Sequence, residues 1–160
     1  MHQQLLSILL LGLATAVTSS SCHYYIVDAK HGRSLVAGDR YDGNVYHQDP
    51  TGRSNAKWEL LPLNGSDLGY YHIRDTKHSK CIVAGDRYDG NIYHQDPNNR
   101  LNAKWRLVPF SDAYGSETYY LQDKKHNRAI VAGNVADNRV YHQYPQSRPN
   151  ARWAIVPNYL

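Results

Sequence analysis

A set of polar side chains recurs along the chain, and their types are those that recognise ligands rich in hydroxyl groups. Six polar positions each occur three times, at intervals of 47 and then 48 residues: Asp28/Asp75/Asp123, His31/His78/His126, Tyr46/Tyr93/Tyr141, His47/His94/His142, Gln48/Gln95/Gln143 and Asn55/Asn102/Asn150. Carboxylates accept hydrogen bonds, amides donate and accept them, and an aromatic face covers the apolar side of a sugar ring. Together they indicate a small polar recognition site in each repeat.

Each recurring residue also has a structural interpretation. The aspartate can close a turn with its own side chain, because Asp often accepts hydrogen bonds from nearby backbone amides. The histidine of Tyr-His-Gln can point inward and fix a hairpin, and the asparagine can belong to the turn before a strand. These interpretations stay open beside the functional one.

The longest repeated stretch contains a hairpin turn. Residues 38–50 and 85–97, GDRYDGNVYHQDP and GDRYDGNIYHQDP, match at twelve of thirteen positions. Asp42-Gly43 and Asp89-Gly90 predict a type I′ turn, which needs positive φ, and Asp137-Asn138 tolerates the same region. Arg40-Tyr41 becomes Val135-Ala136 in the third copy, so a function carried by that pair would be lost there.

Short β-strands must position these residues. The first repeat has four β signals, at 24–28, 34–38, 44–48 and 57–61, rich in β-branched and aromatic residues and bounded by Gly, Asp, Asn and Pro. No apolar stripe of helical period follows residue 21. Three such units predict an all-β chain of twelve strands. The repeat length of about 47 residues suits a β-trefoil with pseudo-threefold symmetry.

Alternation along the strands predicts the core. Trp58, Trp105 and Trp153 recur while the residues after them change from Glu to Arg to Ala. Because side chains alternate between the two faces of a strand, the constant residues should point inward. We expect the tryptophans to form the core and not a sugar-stacking platform.

The chain resembles the ricin B-chain-like β-trefoil lectins over about residues 23–160. The resemblance rests on the threefold repeat with one Trp per unit, on Val27-Asp28-Ala29-Lys30-His31-Gly32-Arg33, and on Asn55-Ala56-Lys57-Trp58, which is similar to the family's Asn-Gln-x-Trp segment. It departs from the family in placing Ala56, Ala103 or Ala151 at the Gln position, and it lacks the usual disulfide within each unit.

The resemblance implies a carbohydrate site in each repeat. It pairs the Asp with the Asn of the same unit, and the tyrosine on the third strand is the nearest candidate for the stacking aromatic, with a Gln on the same strand face by period two. The predicted carbohydrate-binding residues are Asp28, Tyr46, Gln48, Asn55, Asp75, Tyr93, Gln95, Asn102, Asp123, Tyr141, Gln143 and Asn150.

The start of the chain predicts secretion. Residues 5–17 form an apolar run followed by TSSS at 18–21, as in a signal peptide, and the run is too short to span a membrane. We expect a signal peptide at 1–21 and an extracellular β-trefoil domain at 22–160, with repeats at about 23–66, 67–114 and 115–160. We expect no membrane insertion, because no second apolar stretch follows.

Charge and cysteines narrow the partners further. The net charge of +4 is scattered without a basic run, so we expect no nucleic-acid partner. Cys22 and Cys81 could form a structural disulfide, bridge two chains or stay reduced. Asn64-Gly65-Ser66 is a glycosylation sequon.

The sequence therefore predicts a secreted lectin with up to three weak sugar sites, whose partners are glycans or glycoproteins. The alternative is a protein-binding β-trefoil, such as a protease inhibitor or a toxin or receptor-binding module, acting through 64–69 or 111–116. A third interpretation places one metal ion between His47, His94 and His142. We expect no cofactor and no enzyme, because Ser34 becomes Cys81 and then Ala129, and no nucleophile recurs beside a base.

Overall fold

Three four-stranded repeats make up the described part of the chain, as the sequence predicts. A computed structural model describes residues 22–39, 43–86, 90–111, 117–136 and 138–159. The strands are β1 (His23–Asp28), β2 (Ser34–Ala37), β3 (Val45–Gln48), β4 (Trp58–Pro62), β5 (Tyr71–Asp75), β6 (Cys81–Ala84), β7 (Ile92–Gln95), β8 (Trp105–Ser111), β9 (Glu117–Asp123), β10 (Ala129–Ala132), β11 (Val140–Gln143) and β12 (Trp153–Asn158). Short 3₁₀ turns occupy Ser54–Ala56, Gly65–Asp67, Leu101–Ala103 and Pro149–Ala151.

Six strands close into a barrel. β1 pairs with β12 and β4, β5 pairs with β4 and β8, and β9 pairs with β8 and β12, all antiparallel. The closed circuit leaves none of these six strands at an edge of the sheet. The first and fourth strands of every repeat therefore form the barrel, as expected for a β-trefoil.

The second and third strands of each repeat form a hairpin that extends from the barrel. The hairpins are β2–β3, β6–β7 and β10–β11, each joined to the barrel by one register pair, such as Val27 with Ser34. The three hairpins contact each other in a ring, through the bridges Asn44–Tyr93, Asn91–Tyr141 and Arg139–Tyr46. This ring places the predicted tyrosines around the pseudo-threefold axis.

The second central residue of each hairpin turn has the positive φ that the sequence predicts. Gly43 and Gly90 have φ of +63°, and Asn138 has φ of +55°, all in the left-handed region. The preceding residues Asp42, Asp89 and Asp137 lie outside the described residues, as do Arg40 and Tyr41. The backbone amides of His94 and His142 donate to the carbonyls of Gly43 and Gly90, so each turn also holds the neighbouring hairpin.

The core is the one predicted by alternation. Trp58, Trp105 and Trp153 are fully buried beside Ile26, Ile73 and Leu121 of the first barrel strands. Each indole N–H donates to a hairpin carbonyl, on Leu35, Ile82 or Ile130, at 2.8–2.9 Å. The tryptophans are therefore core residues that also join barrel to hairpin, and no sugar can stack on them.

No helix in the described residues is long and apolar enough to cross a membrane.

Candidate functional site

Each recurring aspartate closes the turn that follows the first strand of its repeat. Asp28 accepts hydrogen bonds from the backbone amides of Lys30, His31 and Arg33 at 2.8–3.2 Å. Asp75 accepts the three equivalent amides at the same distances, and Asp123 accepts those of His126 and Arg128. The geometry thus shows the structural role expected of these aspartates, which is to close a turn with their own side chains.

Burial keeps the carboxylates away from the surface. Asp28, Asp75 and Asp123 are at most 1% exposed. A sugar hydroxyl could reach them only if the turn opened. Their predicted sugar contact stays a prediction, and the structure gives them the task of shaping the turn.

A second contact comes from two histidines in each repeat. In the third repeat, Asp123 lies 2.8 Å from His142 Nε2 and 3.1 Å from His126 Nδ1. Burial alone would raise the pKa of Asp123, but the hydrogen bonds from His142 and from the amides of His126 and Arg128 outweigh it and lower that pKa. The carboxylate is therefore held in its ionised form.

The same arrangement occurs in the other two repeats. His94 contacts Asp75 through Nε2, with His78 Nδ1 at 3.2 Å from the same carboxylate. In the first repeat His31 Nδ1 lies 3.1 Å and His47 Nδ1 lies 3.7 Å from Asp28. His47, His94 and His142 are each gathered with their own aspartate, so the interpretation of one ion shared by these three histidines is wrong.

A surface groove in the second repeat brings together three of its four predicted site residues. Tyr93, Gln95 and Asn102 line a cavity of about 480 Å³, and Asp75 does not. Its other lining residues are Val83, Ala84, Gly85, Asp86, Arg100 and Lys125. Period two explains Tyr93 and Gln95, because they alternate along β7 with the buried Ile92 and His94.

Asn102 lies at the wall of this groove because its side chain hydrogen-bonds the hairpin from the 3₁₀ turn. Asn102 Nδ2 donates to the carbonyl of Ala84 at 2.5 Å. Asn55 and Asn150 make the equivalent bonds to Ala37 and Ala132 at 2.6 Å. This asparagine is thus held by the same hydrogen bond in all three repeats.

One groove residue was not among the predictions. Arg100 Nη1 donates to Gln95 Oε1 at 3.1 Å, and Arg148 makes the same bond to Gln143. Arginine recurs two residues before each asparagine, at Arg53, Arg100 and Arg148, so the repeat itself carried the signal. In the first repeat Arg53 instead donates to the carbonyl of Asp49, which makes that repeat different from the other two.

Two of the three predicted tyrosines, Tyr46 and Tyr93, also line a second cavity between the three hairpins. It has a volume of about 470 Å³ and is lined by Asn44, Tyr46, Asn91, Tyr93 and Arg139 together with apolar hairpin residues. The hydroxyls of Tyr46 and Tyr93 accept from Asn44 and Asn91 at 3.5 and 3.3 Å. Tyr93 lines both cavities and therefore lies between the groove of the second repeat and the cavity between the hairpins.

Ion pairs hold the segment at 64–69, which the alternative protein-binding function would use. Asp67 accepts from Lys104 Nζ at 2.8 Å and from Lys124 Nζ at 2.6 Å, and these contacts lower its pKa. Leu68 beside it is 79% exposed. Of the second such segment, residues 112–116 lie outside the described part of the chain.

Of the alternatives left open for the two cysteines, a disulfide between them is not formed. Cys22 is exposed and Cys81 is buried on β6, and no disulfide joins these two described residues. Cys81 occupies the position of Ser34 and Ala129, where the side chain faces the interior.

Comparison with known proteins establishes the fold. No protein-family model and no curated protein matches this sequence. Among solved structures, the designed three-fold symmetric protein ThreeFoil is 24% identical with a TM-score of 0.73, and the match covers 84% of this chain and 97% of ThreeFoil.

Two proteins that were solved with sugars are also similar. SeviL bound to asialo-GM1 saccharide is 16% identical with a TM-score of 0.68, and the match covers 88% of this chain and all of SeviL. The Polyporus squamosus lectin bound to Neu5Acα2-6Galβ1-4GlcNAc is 17% identical with a TM-score of 0.70, over 83% of this chain and 48% of the lectin. The chain is therefore a β-trefoil, and its structural neighbours include β-trefoil lectins.

Proposed function

We propose that this protein binds carbohydrate without catalysis, through one groove in each repeat. The observation that carries the proposal is the groove of the second repeat, where Tyr93, Gln95, Arg100 and Asn102 line one cavity of about 480 Å³. The equivalent residues, from which we infer the other two sites, are Tyr46, Gln48, Arg53 and Asn55 in the first repeat and Tyr141, Gln143, Arg148 and Asn150 in the third. In the third repeat, Gln143 and Arg148 line a cavity of about 260 Å³.

The groove offers the chemistry that a sugar ring requires. Gln95 and Asn102 supply amide groups, Arg100 supplies several N–H donors, and Tyr93 supplies an aromatic ring for the apolar face of the sugar. Asp86 and Lys125, which pair at 3.3 Å, add an acceptor and a donor at the rim. Both rim residues are exposed, and an exposed ion pair contributes little free energy. The two side chains can therefore leave each other and contact sugar hydroxyl groups at small cost.

Three shallow sites on one rigid body would act together. A single site of this kind binds with a Kd of roughly 1 mM, or about −4 kcal/mol. On a dense glycan surface, simultaneous engagement raises the overall affinity by about 10²–10⁴-fold if the spacing permits it. Multivalency gives the repetition of the groove a physical purpose, and the buried aspartates serve it by holding each turn in shape.

We propose in addition that the protein acts outside the cell. The apolar run at 5–17 followed by TSSS supports a signal peptide at 1–21. Glycans and glycoproteins of cell surfaces are then the partners.

A glycan array on residues 22–160 tests the proposal, followed by titration of the best glycan with a Gln95→Ala/Arg100→Ala variant. We expect this variant to lose the second site and to bind more weakly at equal folding. Arg106→Ala is the matched control, because Arg106 bonds Gln122 on the barrel at 2.6–2.9 Å outside the groove. No bound glycan at high protein concentration, or equal losses in the two variants, would contradict the proposal.

A further inference from the structure

Every repeat gathers one carboxylate and two imidazoles at a single point between barrel and hairpin. The clusters are Asp28/His31/His47, Asp75/His78/His94 and Asp123/His126/His142, and in each the ligating atoms lie within 4.8 Å of one another. Six of the nine histidines of the chain are used in this way. The groove of the second repeat does not use its cluster, because Asp75, His78 and His94 do not line it.

The distances suit a tetrahedral metal ion. Zinc bonds to imidazole nitrogen and carboxylate oxygen at about 2.0–2.2 Å, so two donors on one ion are separated by roughly 3.3–3.5 Å. In the first repeat, His31 Nδ1 lies 3.1 Å from Asp28 Oδ1, and His47 Nδ1 lies 3.7 Å from Asp28 Oδ2. Each separation is close to the expected one, so small side-chain movements would bring both nitrogens and one carboxylate oxygen onto a common ion.

Nitrogen atoms in the first cluster have no other partner. The side chain of His47 is 0% exposed, and neither of its ring nitrogens has a hydrogen-bond partner among the described residues. Nδ1 of His31 is also buried without one. A buried polar atom without a partner is costly, and a bound cation would remove that cost.

The carboxylate can accept a cation while keeping its turn. Among the described backbone amides, that of Arg33 donates to Asp28 Oδ2 at 3.2 Å, whereas those of Lys30 and His31 donate to Oδ1. Hydrogen bonds to a ligating carboxylate are the usual second layer of a metal site, since they fix its orientation.

The donor set selects the kind of cation. Two imidazoles and one carboxylate suit Zn²⁺ and the related transition cations, whereas Ca²⁺ and Mg²⁺ prefer oxygen ligands alone. Three protein ligands leave a fourth position for water. The outer histidine gives access, because the side chains of His31 and His78 are 13% exposed and that of His126 is 11% exposed.

We propose that Asp28, His31 and His47 form a binding site for a divalent transition cation such as Zn²⁺, and that the two related clusters bind the same cation more weakly. The second and third clusters are weaker because His94 and His142 already contact their aspartates through Nε2, and this contact must be given up for a metal bond. The bound ion would join the turn after the first strand to the hairpin in every repeat.

Calorimetric titration of the metal-free protein with Zn²⁺ tests this proposal. We expect about three ions per chain with one tighter step, loss of that step in His31→Gln, and its retention in His78→Gln and His126→Gln. The outer histidines are chosen because they are partly exposed and their removal leaves the buried pair intact. His23→Gln is the control, since His23 lies outside the clusters beside Glu59. Mg²⁺ should not bind.

A second measurement keeps the test valid if a variant does not fold. Co²⁺ added to the unaltered protein should give the strong visible absorption of a tetrahedral site, and Zn²⁺ should raise Tm by several degrees over protein in EDTA. The proposal is overturned if the unaltered protein binds no Zn²⁺, or if the triple variant of His31, His78 and His126 binds as much Zn²⁺ as His23→Gln.

Discussion

At the scale of single residues, the tryptophans show how one side chain serves two parts of the fold. Trp105 is fully buried, and its indole N–H donates to the carbonyl of Ile82 at 2.8 Å. Its ring fills the barrel while its nitrogen satisfies a hairpin carbonyl. Both contributions are lost when the ring is removed. A smaller aromatic ring keeps part of the burial but loses the hydrogen bond.

Trp105→Ala should therefore destabilise the protein by about 3–5 kcal/mol, from lost burial and the cavity left behind. Trp105→Phe should destabilise the protein by about 1–3 kcal/mol through the lost hydrogen bond, because the Ile82 carbonyl loses its donor, in addition to the cost of the smaller ring. Chemical denaturation at pH 7 measures both values. Equal stability of Trp105→Phe and the unaltered protein would show that the hydrogen bond contributes nothing.

Cys81 gives a second prediction at this scale. Burial raises the pKa of its thiol to about 11. Because the folded state favours the neutral thiol, this contribution to stability is complete below the ordinary thiol pKa of about 8.5 and is lost as the pH rises through 11.

In a Cys22→Ser variant at pH 8, a thiol reagent should label Cys81 only after denaturant is added. The Cys22→Ser substitution removes the exposed thiol, so the assay reports one residue. Labelling of the native variant at the rate of the unfolded chain would contradict the burial of Cys81.

At the scale of elements, the turn after each first strand depends on a carboxylate. Asp75 is fully buried and accepts amides from Lys77, His78 and Lys80. With Asn in its place, the side-chain NH₂ group would face backbone N–H groups and could not accept their hydrogen bonds.

Asp75→Asn should consequently cost about 2–4 kcal/mol in the free energy of unfolding, measured in EDTA so that no metal contributes. Asp86→Asn is the control: its side chain is 84% exposed, and the change should stay within about 0.5 kcal/mol. A cost no larger than that of the control would mean that the carboxylate does not close the turn.

The elements were the most predictable part of this protein, for a physical reason. Alternation of apolar and polar residues places Trp58 inward and predicts that Tyr93 and Gln95 share a face, since period two is a local property. The burial of Asp28 was not predictable in the same way. It depends on His47, nineteen residues later, and so on how the hairpin folds back onto the turn. Arg100 could have been found, because arginine recurs in all three repeats.

At the scale of the whole molecule, symmetry is close but incomplete. Arginine bonds glutamine in the second and third repeats, whereas Arg53 bonds the backbone of Asp49 in the first. We therefore expect the first groove to differ in affinity from the other two. Because the barrel strands close on themselves, a change in one groove should leave the other two intact.

Binding to a dense glycan surface, compared across variants with three, two, one and no intact grooves, tests the central claim most directly. Gln48→Ala, Gln95→Ala and Gln143→Ala, alone and combined, remove the grooves, and Arg106→Ala controls for surface changes. We predict a stepwise fall in avidity, larger than tenfold per lost site, until the triple variant binds no better than a surface without glycan. Undiminished binding by a folded triple variant would contradict the account.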